Sequence, residues 1–214
     1  MQLSARELAL SHPILVESFS IIDREFKASY SSFEQLGFSA QEYAIVRRVI
    51  HTTADFGFAK SLVFSSGAIA QGITGIAQGT PIITDVTMVA QGIKNLAKKT
   101  FNNPIMPAIA HAPTADPART RTETGILRCL EQHPNAIVAI GNAPTALAAL
   151  CELEIKPALV IGAPVGFVCV VAAKEKLAKT AINQIRVNGR KGGSAVAAAI
   201  VNALIMLAWD SAES

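Results

Sequence analysis

Short apolar runs that close on turn residues alternate along this chain with segments of helical length, and that alternation limits the possible folds more than any other feature of the sequence. Strand-sized runs occupy 81–84, 136–140, 158–161 and 184–187, with a weaker one at 107–110. Helix-sized segments fill 117–132, 145–154, 167–179 and 194–208. Upstream, 13–30 predicts a first helix, Ser39-Ala40-Gln41-Glu42 is a capping box opening a second, and 67–78 predicts a third. Strand–helix alternation requires βαβ crossovers, hence an α/β fold around a mostly parallel sheet of about five strands. Such strands are covered on both faces and need small aliphatic side chains. The composition supplies them: half the residues are hydrophobic, only 6% are aromatic, and Ala, Val, Ile and Gly carry the apolar content. No fixed-period repeat, low-complexity tract or linker breaks the pattern, so residues 1–214 are expected to form a single domain.

Charged residues make up 16% of the chain, against about a quarter in an average domain. A homo-oligomer that hides part of the surface is the simplest explanation. The net charge of +3 comes without the clustered Lys/Arg stripe of a nucleic-acid binder, though it suits a polyanionic small ligand. Cys129, Cys151 and Cys169 stand far apart with no CxxC, and are expected to be buried, reduced thiols rather than disulfides or zinc ligands. The opening MQLSARELALSHP lacks the apolar core of a signal peptide, so a cytoplasmic protein is expected. Two uncharged stretches, 157–173 and 192–209, are broken by Gly162, Pro164 and Gly166 and by Ser194 and Asn202. Neither is expected to span a membrane, and the second predicts a core or dimer-interface helix.

Three strands finish in glycine-bearing turns that open helices: Gly141-Asn142-Ala143-Pro144-Thr145, Gly162-Ala163-Pro164-Val165-Gly166 and Gly189-Arg190-Lys191-Gly192-Gly193-Ser194. In a parallel sheet such turns gather outside the carboxyl ends of the strands, where ligands bind. Each offers backbone N–H groups at a helix N-terminus, and the last adds two cations. Together they describe a site for a flat ligand with several carboxylates or phosphates, although any parallel α/β fold also needs Gly and Pro at these places. Neither GxGxxG nor GxxxxGK[ST] occurs, which speaks against the usual nucleotide sites. Of the four histidines, His12 and His133 precede prolines, and no pair has metal-ligand spacing, so no protein-held metal is expected. His51 follows the basic pair Arg47-Arg48 at the predicted end of the second helix, amid Thr52, Thr53 and Asp55. A helix C-terminus favours imidazolium, the form a general acid needs. A structural histidine with a hydrogen-bonded ring fits that position as well.

Five blocks, in order and spacing, resemble the precorrin-8X methylmutase (precorrin isomerase) family: Glu17-Ser18-Phe19-Ser20-Ile21-Ile22, Val49-Ile50-His51-Thr52-Thr53-Ala54-Asp55-Phe56, Gly141 to Leu147, Pro164-Val165-Gly166-Phe167-Val168 and Gly189 to Ser194. The resemblance runs from about 12 to about 208. It implies a flavodoxin-like three-layer α/β/α fold and a homodimer with sites near the subunit interface. It also implies a 1,5-sigmatropic methyl shift from C11 to C12, taking precorrin-8X or its cobalt form to hydrogenobyrinate or cobyrinate. His51 matches the family's catalytic histidine. No cofactor is implied, since any cobalt belongs to the corrinoid substrate. Ser18, Thr52, Asp85, Arg121, Asn142, Thr145, Arg190, Lys191, Gly192 and Ser194 are the substrate-binding candidates, Arg121 through a Thr120-Arg121 step that resembles the family's. One departure stands out: where the family usually carries Glu-Ser-Lys, this chain has Ala172-Ala173-Lys174. That departure motivates the alternative of a non-catalytic corrinoid carrier, and the glycine turns alone motivate a nucleotide-binding α/β protein.

Overall fold

Along the central strands, side chains point alternately to two apolar cores. Ile82, Ile137, Ala139, Leu159 and Ile161 face one, and Ile83, Val138, Ile140 and Val160 face the other. This period of two, buried on both sides, is what a sheet with helices on both faces requires. The computed structural model describes residues 4–212, without the side chains of Ala5 and Glu7. The described chain opens with α1 (Ala5–Leu10), α2 (Pro13–Tyr30) and α3 (Ala40–Thr53), and passes through a 3-10 turn (Phe56–Lys60) into β1 (Leu62–Phe64). It continues with α4 (Ala68–Ala77), β2 (Ile82–Thr84), α5 (Thr87–Lys99), β3 (Ile105–Pro107), a second 3-10 turn (Ala108–His111) and α6 (Arg121–Gln132). Then come β4 (Ile137–Ile140), α7 (Pro144–Leu150), β5 (Leu159–Gly162), α8 (Val170–Ala178), β6 (Gln184–Val187) and α9 (Ser194–Ser211).

The six strands lie in the order β1-β6-β5-β4-β2-β3. β2 to β6 are parallel, and their order is the flavodoxin-like one, with its topological switch between β2 and β4. β1 is the exception, pairing antiparallel with β6 so that Leu62 faces Val187. Helices α2 to α5 and α9 build the first core, and α6, α7 and α8 the second. The fold is thus the expected α/β one, with a sixth strand that the sequence pattern did not reveal.

Local signals explain most of the elements. Ser39 and Glu42 form both bonds of the expected capping box, and Thr120 and Glu123 form another at the start of α6. β1, α1 and α5 were not anticipated. β1 is only three residues long, and α5 begins without a side-chain cap and carries Gly92 at its middle, where Ala198 of α9 packs against it. The weak strand expected at 107–110 lies at Ile105–Pro107, and the 3-10 turn takes its place. α3 extends to Thr53, so Arg47 and Arg48 are not in its last turn, which instead carries His51. Arg47 is buried with its guanidinium 3.0 Å from Asp23 and stacked over Phe19. α9, the long apolar helix, is a core element packed by α3, α4 and α5, with the Asn202 amide donating to the Gly92 carbonyl. The thiols are free, but only Cys129 is fully buried; Cys151 is half-buried and Cys169 is exposed, contrary to expectation.

α6 lies against the second 3-10 turn so closely that a Cβ on Gly125 would sit 2.0 Å from the Ala108 carbonyl oxygen. Backbone cannot give way as a side-chain tip can, so Gly125→Ala should destabilise the fold by about 3 kcal/mol. A lowered urea midpoint with unchanged slope is the expected result.

Candidate active site

The parallel strands β2, β4, β5 and β6 all end on one edge of the sheet, at Thr84, Ile140, Gly162 and Val187. Because β1 runs the other way, its first residue lies on that same edge, and the segment leading into it comes too. The Asn188 N–H donates to the Ser61 carbonyl at 2.8 Å and fastens the approach. The C-terminal turn of α3, with His51, is thereby delivered beside the strand ends.

His51 is half-buried. Its Nδ1 lies 2.7 Å from the Ser18 hydroxyl oxygen, and the edge of Phe19 meets the ring at a centroid distance of 5.6 Å. Both partners come from α2, so the packing of α2 on α3 sets the plane of the imidazole and leaves Nε2 as its other polar atom. Burial, helped by the nearby Arg48 guanidinium, holds the imidazole below the ordinary histidine range. The expectation that the helix terminus alone would favour imidazolium is therefore corrected: in the unliganded protein these two effects outweigh it.

The three glycine turns do come together. A Cβ on Gly141 would meet the Ser194 backbone at 2.7 Å, and one on Gly192, whose φ is +151°, would meet the Ala163 carbonyl at 2.3 Å. The Gly193 N–H donates to that same carbonyl, and the Gly166 N–H to the Arg190 carbonyl. Only glycine fits such contacts.

Not all of the expected donors are free, however. Asp85, fully buried at the end of β2, accepts from the N–H groups of Gly141, Asn142 and Ala143 on one oxygen, at 2.6–3.2 Å, and from Val86 on the other. Burial pushes its carboxyl up while these four bonds pull it down. With both oxygens occupied, Asp85 shows no face to a ligand: the expected substrate contact is a clamp on the first turn. The backbone donors anticipated there are spent on it.

The remaining candidates divide into groups. Among the described residues, the Asn142 amide and the Ser194 hydroxyl form no hydrogen bond, and Arg190 makes only a stacking contact over Phe167. Lys191 is paired with Asp55 at 2.6 Å, and that bond holds the Asp55 carboxyl below its usual range. Thr145 shares a 3.3 Å contact with the Thr120 hydroxyl. Thr52 donates back to the Arg48 carbonyl of its own helix. Arg121 donates to the carbonyls of Ala112 and Ile109, bracing the segment before α6. Beside them stands an exposed apolar rim of Val165, Phe167, Val168 and Val171. Lys174, fully buried under the third turn, was not among the candidates; the Lys174-Glu175-Lys176 run carries no local signal of which lysine is buried. Ala172 is exposed on α8 and Ala173 is buried in the second core, so the departure from Glu-Ser-Lys leaves the lysine in place. No group of three or more His, Cys, Asp or Glu among the described residues could hold a metal.

A flavodoxin-like sheet with cations and glycine turns along the carboxyl-end edge of its strands is the arrangement of an α/β protein suited to an anionic small molecule. The precorrin-8X methylmutase family model matches residues 13–207, and the chain belongs to that family of isomerases. A cobalt-precorrin-8 methylmutase of Synechocystis sp. is 52% identical, covering 94% of this chain and 98% of its own. Another, of Priestia megaterium, is 37% identical over 92% and 91%. A solved precorrin-8X methylmutase of Thermus thermophilus superposes with a TM-score of 0.84 at 39% identity, covering 92% of this chain and 96% of that one.

Removing the clamp leaves four N–H groups facing a buried cavity. Asp85→Ala should therefore destabilise the protein by about 3 kcal/mol. Chemical denaturation checks the value.

Proposed function

We propose that this chain moves a methyl group from C11 to C12 of precorrin-8X or cobalt-precorrin-8, yielding hydrogenobyrinate or cobyrinate, with His51 as the proton donor. Family membership supports the reaction. The role of His51 is supported by one observation above all: a half-buried imidazole, held by Ser18, on the helix whose exit reaches Lys191 of the third turn through Asp55. Migration of the methyl changes the tautomeric state of the conjugated ring, so a proton donor fixed beside it stabilises the charge that develops. An isomerisation consumes no proton overall, so the imidazole that gives one up takes one back before the next turnover. When His51 is charged, its Nδ1–H donates to Ser18 and Nε2–H is left for the macrocycle. The chemistry needs no cofactor, and any cobalt arrives inside the substrate.

Holding the macrocycle is the other half of the task. Arg190, Lys191, Gly192 and Ser194 offer charge and N–H groups to its carboxylates, while Asn142 and Thr145 offer side-chain bonds. Thr52 and Arg121 act from the rim, and Asp85 acts through the turn it clamps. Lys191 must exchange Asp55 for a substrate carboxylate, and an exposed pair worth about 0.2–1 kcal/mol makes that exchange easy. The exposed Phe167 and its apolar neighbours support a homodimer, whose mass light scattering would report. We place the enzyme in the cytoplasm as a single-domain protein. None of the relatives compared is named as a carrier or a nucleotide-binding protein, so the isomerase is favoured over both.

Incubation with precorrin-8X or its cobalt form should convert the absorption spectrum to that of the product, and His51→Ala should slow turnover by about 10²–10⁴. An absence of conversion, or a His51→Ala variant as fast as the wild type, would refute the proposal. Ser18→Ala should lower kcat by about tenfold with KM nearly unchanged, because the Ser18 hydroxyl is engaged by the His51 ring and not, as expected from the sequence, by the substrate. The acid must be protonated, so activity falls as pH rises. In the free enzyme kcat/KM should break below the ordinary histidine value, and kcat, measured with carboxylates bound nearby, at a higher pH.

A further inference from the structure

Two of the three turns rest on buried charges of opposite sign. Beneath the first lies the Asp85 carboxylate, which draws N–H groups inward. Beneath the third lies Lys174, whose ammonium donates to the Gly189 carbonyl at 2.9 Å and the Lys191 carbonyl at 2.7 Å. Its side chain comes from α8, the helix that follows the second turn, and Lys174 is only 2% exposed. It forms no ion pair among the described residues, and burial alone lowers its amine to about 8. A buried cation without a counter-charge is costly, and a chain that needed only to fill space there would do better with Met or Leu.

What the lysine does is orient the turn. With two carbonyls drawn inward, the N–H groups of Lys191 and Gly192 find no acceptor in the described protein, and the side chains of Arg190 and Lys191 emerge exposed. Gly192 and Gly193 fasten the other end of the turn to Ala163. The peptide polarity of the third turn is therefore the reverse of that of the first, and donors for an anion are concentrated on it. The geometry points to Lys174 as a positioning residue that holds the 189–193 turn in its anion-accepting form and so sets the affinity for the substrate's carboxylates. This rests on the corrinoid reading of the same site.

Lys174→Met, nearly equal in length, removes the two bonds and the charge; Lys174→Gln keeps donors without charge and serves the same comparison should the first variant fail to fold. Amide exchange of Gly193, the bonded N–H of the turn, should quicken by about tenfold or more in Lys174→Met, with the Gly141–Ala143 segment unchanged. KM for precorrin-8X and Kd for the product should rise by about tenfold, while kcat changes by less than about threefold. Lys174→Gln should fall between. Unchanged exchange in the turn overturns the proposal, as does faster exchange with unaltered KM and Kd, or a loss confined to kcat. A wild-type protein that neither converts nor binds the corrinoid overturns the functional reading by itself, and the exchange comparison still decides whether Lys174 holds the turn.

Discussion

One buried carboxylate closes the switch point of this sheet. The crossovers that leave β2 and β4 go to opposite faces, α5 into the first core and α7 into the second, and the crevice between them is where a flavodoxin-like fold binds its ligand. A turn lined with backbone N–H groups at that point would ordinarily await an anion. Here Asp85 supplies the anion from within, and the gap is joined by three bonds of 2.6–3.2 Å rather than left open. In the proposed reading, recognition of an external anion is displaced along the edge to the 189–193 turn, where Lys174 bonds two carbonyls and turns the peptides the other way. The two clamps share one logic: a charge too costly to bury alone is retained because it fixes the direction in which a loop presents its donors.

The antiparallel strand β1 has a consequence out of proportion to its three residues. Had it run parallel, the C-terminus of α3 would have been left at the opposite edge of the sheet. Its reversal brings the segment after α3 to the carboxyl-end edge, where Asp55, four residues past His51, pairs with Lys191 of the third turn. His51 is then subject to two influences of opposite sign. Burial and Arg48 favour the neutral ring, and an arriving polycarboxylate favours the charged one. In the proposed mechanism binding and protonation are linked by those signs: the substrate itself would help to charge the acid that acts on it.

The departure at Ala172-Ala173 can be placed in the same terms. Neither position touches His51, and the residue of that step which is buried and bonded, Lys174, is present. An alanine at 172 removes charge from an exposed helix face, and an alanine at 173 packs in the second core. The supports of both turns are intact.

Contiguous residues sufficed for whatever is decided locally. The capping box at Ser39, the strands β4, β5 and β6, the apolar run of α9 and the glycine turns each carry their signal within a few positions, and each was legible in the sequence. The five blocks made the family legible too. β1 and α5 were not, because three residues are too few to show a period and a helix without a cap has no marked start. Nor was it possible to foresee that Ser18 meets His51 from 33 positions away, or that Lys191 meets Asp55 from 136. The same holds for Asp85, a predicted ligand contact that spends one oxygen on a turn 56 to 58 residues further on and the other on the neighbouring Val86 N–H. A side chain's type is written in the chain, but whether its charge faces solvent, a ligand or a backbone depends on which strand ends the fold brings to its side.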